Sequence, residues 1–202
     1  MDQIPDFNDQ VTLDEILGQA VNFGSLQNRG SIEEEVIYLP NKVSPFSGWS
    51  KETHRNGQIS DLIHYLNGNK DGPSVEWYSN GQTCRHSFYK DNLLHGPFKE
   101  WHPNGKTAVK CHYKNGNRDG LWETWFENGN KQERHSYKNN QMEGLCEDWH
   151  ENGQPALKYT IVDDLLEGLS ESWYEDGQKW KSINYNMGQY YGLYESWHPN
   201  GK

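Results

Sequence analysis

Aromatic and other apolar residues alternate with polar ones along this chain in short runs, and turn signals separate the runs. Residues 120–143, with the sequence GLWETWFENGNKQERHSYKNNQME, show the pattern. Residues 121–126 and 131–137 read as β-strands. Between them lies Asn-Gly, which favours a tight hairpin turn because both residues tolerate a positive φ. A second turn at 138–140 leads into the next run, so the pattern predicts one β-hairpin per segment.

This segment recurs with a fixed period of 24 residues, without insertion or deletion. Every repeat begins with glycine, and the repeats start at residues 48, 72, 96, 120, 144, 168 and 192. A fixed period of this length is typical of arrays in which each repeat packs only on its neighbours. The predicted fold is therefore all-β: an elongated antiparallel array of β-hairpins, preceded by a short helical segment.

The chain before the repeats holds the one predicted helix, at residues 12–23. Thr12 is the expected N-cap, Glu15 completes a capping box, and Gly24 ends the helix. We expect this segment to cover the first edge of the sheet, because an open edge invites pairing with another chain.

The predicted organisation has two parts. Residues 1–31 form a polar N-terminal segment with the helix, and residues 32–202 form the hairpin repeats. The second part opens with a lead-in strand within residues 32–47, because residues 36–38 are consecutive β-formers.

Equivalent residues form columns across the array. Glycine stands nine residues after the start of each repeat, where a hairpin turn is predicted: Gly57, Gly81, Gly105, Gly129, Gly153, Gly177 and Gly201. In the second turn the residues expected to adopt a positive φ are Gly68, Asn92, Gly116, Asn140, Asp164 and Gly188. These residue types tolerate a positive φ better than the others do.

Two aromatic columns are interpreted as structural. One consists of Trp77, Trp101, Trp125, Trp149, Trp173 and Trp197, and the other of Tyr65, Tyr89, Tyr113, Tyr137 and Tyr185. Thr53 and Ile161 stand at the column positions of the first and fifth repeats. We expect the rings to stack between repeats in place of an aliphatic core, and the alternative is an aromatic groove for a peptide or sugar. Which columns share a face stays open, because a one-residue change in a turn flips a strand's faces.

Acidic residues form a candidate interaction ladder three residues after the glycine: Glu123, Glu147, Glu171 and Glu195. Earlier repeats carry Lys51, Val75 and Lys99 there. Neighbouring glutamates two strands apart would lie about 9–10 Å from each other, too far to share a proton. We interpret the ladder as a solvated acidic face. The alternatives are a docking strip for a basic partner and a hydrolase site.

Histidine recurs in alternate repeats directly after the tryptophan position, at His54, His102, His150 and His198. Residues two repeats apart are about four strands, roughly 19 Å, apart, so no two of them can share a metal ion. Nucleotide-binding, serine-hydrolase and zinc-protease motifs are missing from the sequence. We therefore expect no catalytic residues, no metal and no cofactor.

Composition adds limits on partners and location. The aromatic content of 13% predicts a folded chain despite a hydrophobic content of 33% and a mean hydropathy of −1.08. The net charge of −10 disfavours nucleic acid and anionic membrane surfaces as partners. Three cysteines without a disulfide framework, and no leader-like or membrane-spanning stretch, predict a cytoplasmic protein.

The repeats resemble those of the MORN-repeat superfamily, on residues 96–106 (GPFKEWHPNGK), 144–154 (GLCEDWHENGQ) and 113–120 (YKNGNRDG). They are most similar to the bacterial variant repeat often labelled as the antitoxin of a toxin–antitoxin pair, whose lead-in resembles residues 26–30 and 36–49. The resemblance implies a hairpin array used as an interaction platform, and in some members a membrane-associated scaffold.

The leading functional hypothesis is a non-enzymatic protein-interaction or scaffold module with an unidentified protein partner, and an antitoxin-like role is its narrower form. A membrane-surface or lipid tether and a hydrolase using the acidic ladder are the alternatives. Weak self-association is also expected through the last strand, at residues 193–198, because its backbone donors and acceptors favour strand addition.

Overall fold

The computed structural model describes residues 7, 9–30 and 35–199. Strands dominate it, with one α-helix, α1 (Gln10–Gln19), and one 3₁₀ turn, η1 (Phe23–Ser25), in the described residues. The all-β hairpin array predicted from the period is confirmed. The chain divides into two compact units, which we call the first lobe (Met1–Phe98) and the second lobe (Lys99–Lys202).

The strands follow one another in the rhythm of the repeat. They are β1 (Val21–Asn22), β2 (Gln27–Asn28), β3 (Ile37–Tyr38), β4 (Gly48–Thr53), β5 (Ile59–Leu66), β6 (Asn69–Trp77), β7 (Thr83–Lys90), β8 (Leu93–Leu94), β9 (Gly96–Trp101), β10 (Thr107–Lys114), β11 (Asn117–Arg118), β12 (Gly120–Trp125), β13 (Lys131–Lys138), β14 (Gln141–Met142), β15 (Gly144–Trp149), β16 (Pro155–Val162), β17 (Leu165–Leu166), β18 (Gly168–Trp173), β19 (Lys179–Asn186) and β20 (Gln189–Ser196).

The turn inside each repeat is a bulged hairpin turn. In β12 and β13, Trp125 lies opposite Lys131, and the N–H of Gly129 donates to the carbonyl of Phe126 at 2.8 Å. Gly129 has a φ of 93°, as expected for a type I turn closed by a left-handed residue. The predicted turn glycines Gly57, Gly81, Gly105, Gly129, Gly153 and Gly177 all have positive φ, whereas Gly201 lies outside the described residues.

The turn between repeats has two residues with positive φ, as in a type I′ turn. Asn139 and Asn140 have φ values of 50° and 69°, and Lys138 pairs with Gln141 across the turn. The positive φ predicted for Gly68, Asn92, Gly116, Asn140, Asp164 and Gly188 is confirmed.

The glycine that starts each repeat marks a bulge that the sequence reasoning missed. Tyr137 of β13 lies opposite Met142, but Arg134 lies opposite Glu147, so the strand carrying Gly144 holds two more residues over this stretch than its partner. Gly144 adopts a φ of 83° there, and a side chain would strain that conformation. The requirement for positive φ at the bulge explains why glycine recurs at this position.

The helix begins and ends earlier than predicted. Asp9, not Thr12, is the N-cap, because its carboxylate accepts a hydrogen bond from the Thr12 N–H at 3.1 Å. The helix ends at Gln19 because the chain then extends into β1, and Gly24 lies in η1 instead.

The N-terminal segment covers the first edge of the array, as predicted. Val21 and Asn22 pair in parallel with Ser50 and Lys51 of β4. The ammonium group of Lys51 also donates to the carbonyl of Leu17 at 2.6 Å, which fixes the helix against the same strand.

The lead-in strand is shorter than predicted and lies outside the sheet of the array. In the described residues it consists of β3, which pairs with β2 in a separate two-stranded sheet. Residues 31–34 lie outside the described part of the chain. Ile37 of β3 packs with Phe46 and Tyr65 in the apolar core of the first lobe, so burial of Ile37 accounts for its position.

Candidate interaction surface

The strand register decides which columns share a face. Ile161, which stands at the tyrosine-column position of this repeat, lies opposite Gly144, and two residues along the strands Tyr159 lies opposite Cys146. The tyrosine column and Cys146 are therefore on the same face of the sheet. Residues alternate along β15, and Glu147 and Trp149 therefore point to the other face. Within each lobe, we call the face that carries the tryptophan and glutamate columns the tryptophan face, and the face that carries the tyrosine column the tyrosine face.

The tyrosine face is the more deeply buried. Tyr65 and Tyr137 are 2% and 6% exposed, and Tyr89, Tyr113 and Tyr185 are half-buried. Burial raises the pKa of the Tyr65 phenol and of the Cys111 thiol, each to about 12. A buried thiol with a raised pKa is a poor nucleophile because little thiolate is present near neutral pH. This face is suited to packing.

One polar pair is buried on the tyrosine face of the second lobe. The Nε2 atom of His135 lies 2.6 Å from Oδ1 of Asp148, and the His135 side chain is only 7% exposed. The carboxylate provides the partner that a buried imidazole needs. The pair lies between adjacent repeats and joins β13 to β15.

The tryptophan column is half-buried at all six positions. Lysine ammonium groups lie near the rings, as cation–π contacts require. Lys131 is 5.7 Å from the ring centres of both Trp125 and Trp149, and so bridges two repeats. Each of these tryptophans therefore keeps part of its surface exposed to solvent.

The glutamate ladder is a row of ion pairs. Glu123 lies 2.6 Å from Lys131, and Glu171 lies 2.6 Å from Lys179. Glu147 contacts Arg134 at 3.1 Å and Lys158 at 3.3 Å. Cationic side chains at two positions of the hairpin's second strand therefore neutralise the acidic column: Lys131 and Lys179 stand at one position, and Arg134 and Lys158 at the other. The predicted solvated acidic face is wrong for these three residues, whereas Glu195 is exposed in β20.

In alternate repeats, a histidine connects the repeat to the one that follows it. The Nε2 atom donates to the carbonyl of the tryptophan one repeat later, from His54 to Trp77 at 2.8 Å, from His102 to Trp125 at 2.7 Å and from His150 to Trp173 at 2.9 Å. Tyr174 makes the same contact through its hydroxyl, to Trp197 at 2.9 Å. This role was not foreseen, although the two-repeat recurrence of histidine was a visible signal.

Asparagine of the Asn-Gly pair forms a second link between repeats. Its amide donates to a turn carbonyl one repeat later, from Asn56 to Ser79, Asn104 to Glu127, Asn128 to Glu151 and Asn152 to Glu175, over 2.5–2.8 Å. Its side-chain oxygen accepts the N–H two residues on, as in Asn128 with Asn130 at 2.8 Å. Asparagine therefore serves both its own turn and the next repeat.

The tryptophan face contains two depressions in the second lobe. The smaller one, of about 240 Å³, is lined by residues that include Trp149, Trp173 and Lys158. The larger one, of about 740 Å³, is lined by residues that include Lys99 and Trp125. Both are bordered by half-buried indole rings.

Neither a metal site nor a spanning helix emerges from the described residues. No group of three or more potential metal-ligating side chains comes together within residues 7, 9–30 and 35–199. Over the same ranges, no helix has the length and apolar character needed to cross a bilayer.

A comparison of the sequence with known protein families agrees with the repeated hairpins of the structure. The family described as the MORN repeat variant matches residues 70–91, 94–115, 118–139 and 166–187. The chain belongs to the MORN-repeat family. MORN repeats are commonly modules for protein or membrane interaction, and the family is generally non-enzymatic. A comparison with curated proteins finds no significant match.

The repeat hairpin also forms where the family comparison finds no match. Residues 142–165 include Ile161, which stands in place of the tyrosine. Ile161 nevertheless pairs with Leu166, as Tyr137 pairs with Met142 one repeat earlier. The turn geometry of this MORN-repeat chain therefore does not depend on an aromatic residue at that position.

Proposed function

We propose that this MORN-repeat chain is a non-enzymatic protein-interaction or scaffold module that binds a partner protein on its tryptophan face. One observation carries the proposal: six tryptophans recur at a fixed spacing and are half-buried, and in three repeats the neighbouring glutamates Glu123, Glu147 and Glu171 are already ion-paired. Tryptophan is enriched among the residues that dominate protein–protein binding energy. Rings held in place by neighbouring repeats lose little conformational freedom on binding.

An antitoxin-like role is the narrower form of this proposal, and its partner would be a toxin protein. A cytoplasmic location is consistent with it, because Cys84, Cys111 and Cys146 are free thiols. The ion pairs of Glu147 with Arg134 and Lys158 weigh against the hydrolase alternative, since they engage the carboxylate that would act as base.

Self-association through β20 is a separate part of the proposal. Tyr190, Tyr191, Leu193 and Tyr194 of this strand are each more than half exposed. A second copy would cover them by adding its own strand, with backbone hydrogen bonds along β20. Sedimentation at rising concentration should show weak dimers, and a strict monomer at all concentrations would exclude this part.

Capture from a lysate of the native host tests the principal proposal. The immobilised proteins are the parent chain, the double variant Trp149→Ala/Trp173→Ala, and a control, Lys114→Ala/Lys138→Ala, whose exposed lysines flank type I′ turns. Circular dichroism and thermal unfolding confirm that each variant is folded. We expect one partner to be recovered by the parent and the control, and at least about tenfold less by the tryptophan variant, as for loss of a binding hot spot.

Equal recovery of that partner by all three proteins would contradict the tryptophan face as the binding surface. Two further assays address the other functions. Flotation with anionic liposomes at low salt would support a membrane tether. A broad screen for hydrolysis, with Glu147→Gln as control, would support an enzyme if it found activity that this substitution removes.

A further inference from the structure

The repeat that starts at Gly96 departs from the three that follow it. Lys99 stands at the position that Glu123, Glu147 and Glu171 hold in those repeats. Lys99 lines the depression of about 740 Å³ on the tryptophan face, together with Lys106, Lys110 and Trp125. We call the surface formed by these four residues and Trp101 the lysine groove. It lies entirely within the second lobe.

Among the described residues, the groove lysines have no acidic partner, whereas Arg134 and Lys158, the counterparts of Lys110 in the next two repeats, both bind Glu147. Lys106 donates to the carbonyl of Asn128 at 2.5 Å, and the Lys99 ammonium lies 4.6 Å from the Trp101 ring centre. Lys110 lies opposite Glu123 in the strand register, but the Glu123 carboxylate is bound to Lys131 at 2.6 Å. Within the described part of the chain, no carboxylate forms an ion pair with Lys99, Lys106 or Lys110.

We propose that the lysine groove binds an extended acidic segment of a partner protein. Its carboxylates would contact Lys99 and Lys110, and an apolar side chain between them would lie on the Trp125 ring. This inference rests on the proposed role of the tryptophan face, and it names the chemistry of the partner there.

Charge complementarity on this same face favours carboxylates as the bound groups. In the next three repeats, lysine or arginine side chains bind glutamate over 2.6–3.3 Å, in equivalent surroundings of indole rings and neighbouring strands. The groove has the cations but not the acids, so a partner would complete the pattern. A long polyanion such as nucleic acid is disfavoured, because the whole chain carries a net charge of −10.

Fluorescence anisotropy with a fluorescein-labelled hexaglutamate peptide tests the proposal on the full chain. The parent protein is compared with Lys99→Glu/Lys110→Glu and with Lys114→Glu/Lys138→Glu, which has the same net charge but changes exposed lysines near the type I′ turns. We expect binding that weakens as salt is raised. The groove variant should bind about tenfold more weakly, or about 1.4 kcal/mol, and the control variant should bind like the parent.

Tryptophan emission gives a local readout in the same titration. A peptide that lies on the Trp125 ring should change the tryptophan emission of the parent protein. The change should be smaller in the variant Trp125→Phe. A comparable loss of affinity in both charge-reversal variants would show that only bulk charge matters, and would overturn the proposal. Undetectable binding by the parent would overturn it as well.

Competition separates acidic peptide from other anions. Unlabelled hexaglutamate should displace the probe, whereas inorganic phosphate and phosphatidylserine vesicles at matched charge should not. Displacement by phosphate or vesicles at lower concentration than by peptide would replace the proposal with a phosphate site.

If the peptide fails to bind but partner capture still depends on Trp149 and Trp173, the lysine groove is wrong and the tryptophan face stands. If capture is independent of both surfaces, the proposed function fails.

Discussion

The two lobes are built from the same repeat but bury different residues. In the first lobe, Ile37 and Phe46 from the N-terminal segment pack against Tyr65, and Leu62 and Val75 are almost fully buried. The buried residues of the second lobe are Cys111, His135, Tyr137, Cys146 and Ser172, which are small, polar or aromatic. The repeat alone therefore builds little aliphatic core. In the first lobe, residues that precede the repeats, Ile37 and Phe46, add apolar side chains to the core.

Where apolar burial is small, hydrogen bonds and ion pairs join the repeats. In the second lobe, histidine, tyrosine and asparagine side chains bind carbonyl groups one repeat away. Each such hydrogen bond contributes only about 0.5–1.5 kcal/mol to stability. Many weak links at a constant spacing suit an array whose stability is the sum of nearest-neighbour terms.

The largest expected effect contrasts one column position in the two lobes. Tyr65→Ala should lower the free energy of unfolding by about 3–5 kcal/mol, because it leaves a cavity beside Phe46. Tyr185→Ala removes a half-buried ring and should cost about 1–2 kcal/mol. Urea unfolding followed by tryptophan fluorescence measures both. Equal losses would show that the lobes do not differ in core packing.

Alkaline pH should destabilise the second lobe first. Burial raises the pKa of Cys111 to about 12 from its ordinary 9.0, and raises the pKa of Cys146, Tyr137, Tyr159 and Tyr185. In the first lobe the corresponding group is Tyr65, with a pKa raised to about 12 from 10.0.

Each of these groups is neutral when protonated, and the folded state holds the proton more tightly than the unfolded state. Their contribution to stability is therefore complete below the unfolded pKa and is lost as the pH rises through the folded pKa. Thermal unfolding is measured between pH 8 and pH 12, and hydrogen exchange assigns the unfolding to each lobe. The second lobe should lose stability at a lower pH than the first. Simultaneous loss would contradict the expected order.

A smaller effect concerns the links between repeats. His150→Phe removes the hydrogen bond to Trp173 and leaves the residue type found at Phe126, so it should cost about 1 kcal/mol. The reciprocal variant Phe126→His should add a bond to the next repeat and stabilise by a similar amount. Thermal unfolding of both variants tests the pair, and unchanged stability in both would show that this contact contributes nothing.

The smallest effect is at a turn of the second lobe. Met187 has a φ of 50° in a type I′ turn, where the first lobe has Asn67 before Gly68. Asparagine tolerates this conformation better than methionine does, so Met187→Asn should stabilise by about 0.5–1 kcal/mol. Asn67→Met in the first lobe should destabilise by about as much. A fall in stability for Met187→Asn would contradict the strain at this turn.

Local features of the repeat could be read from the sequence because they depend on few residues. The residues that adopt positive φ, such as Gly129 and Asn140, are those whose side chains permit it. The helix limits could not be read so well, since Asp9 competed with Thr12 as N-cap and pairing of β1 with β4 ended the helix. The two-residue bulge at Gly144 went unrecognised because bulges depend on the partner strand.

The repeat, its period and the kind of turn residue at each junction can be read from the order of residues alone, because they follow from local backbone preference. Tertiary structure decided which columns share a face, since the one-residue bulge at each Asn-Gly turn and the two-residue bulge at each leading glycine set the direction of every side chain. It also decided that Glu147 is ion-paired and that, among the described residues, Lys99 and Lys110 are not. Pairing of charges depends on neighbours one strand away, and only the register brings those neighbours together.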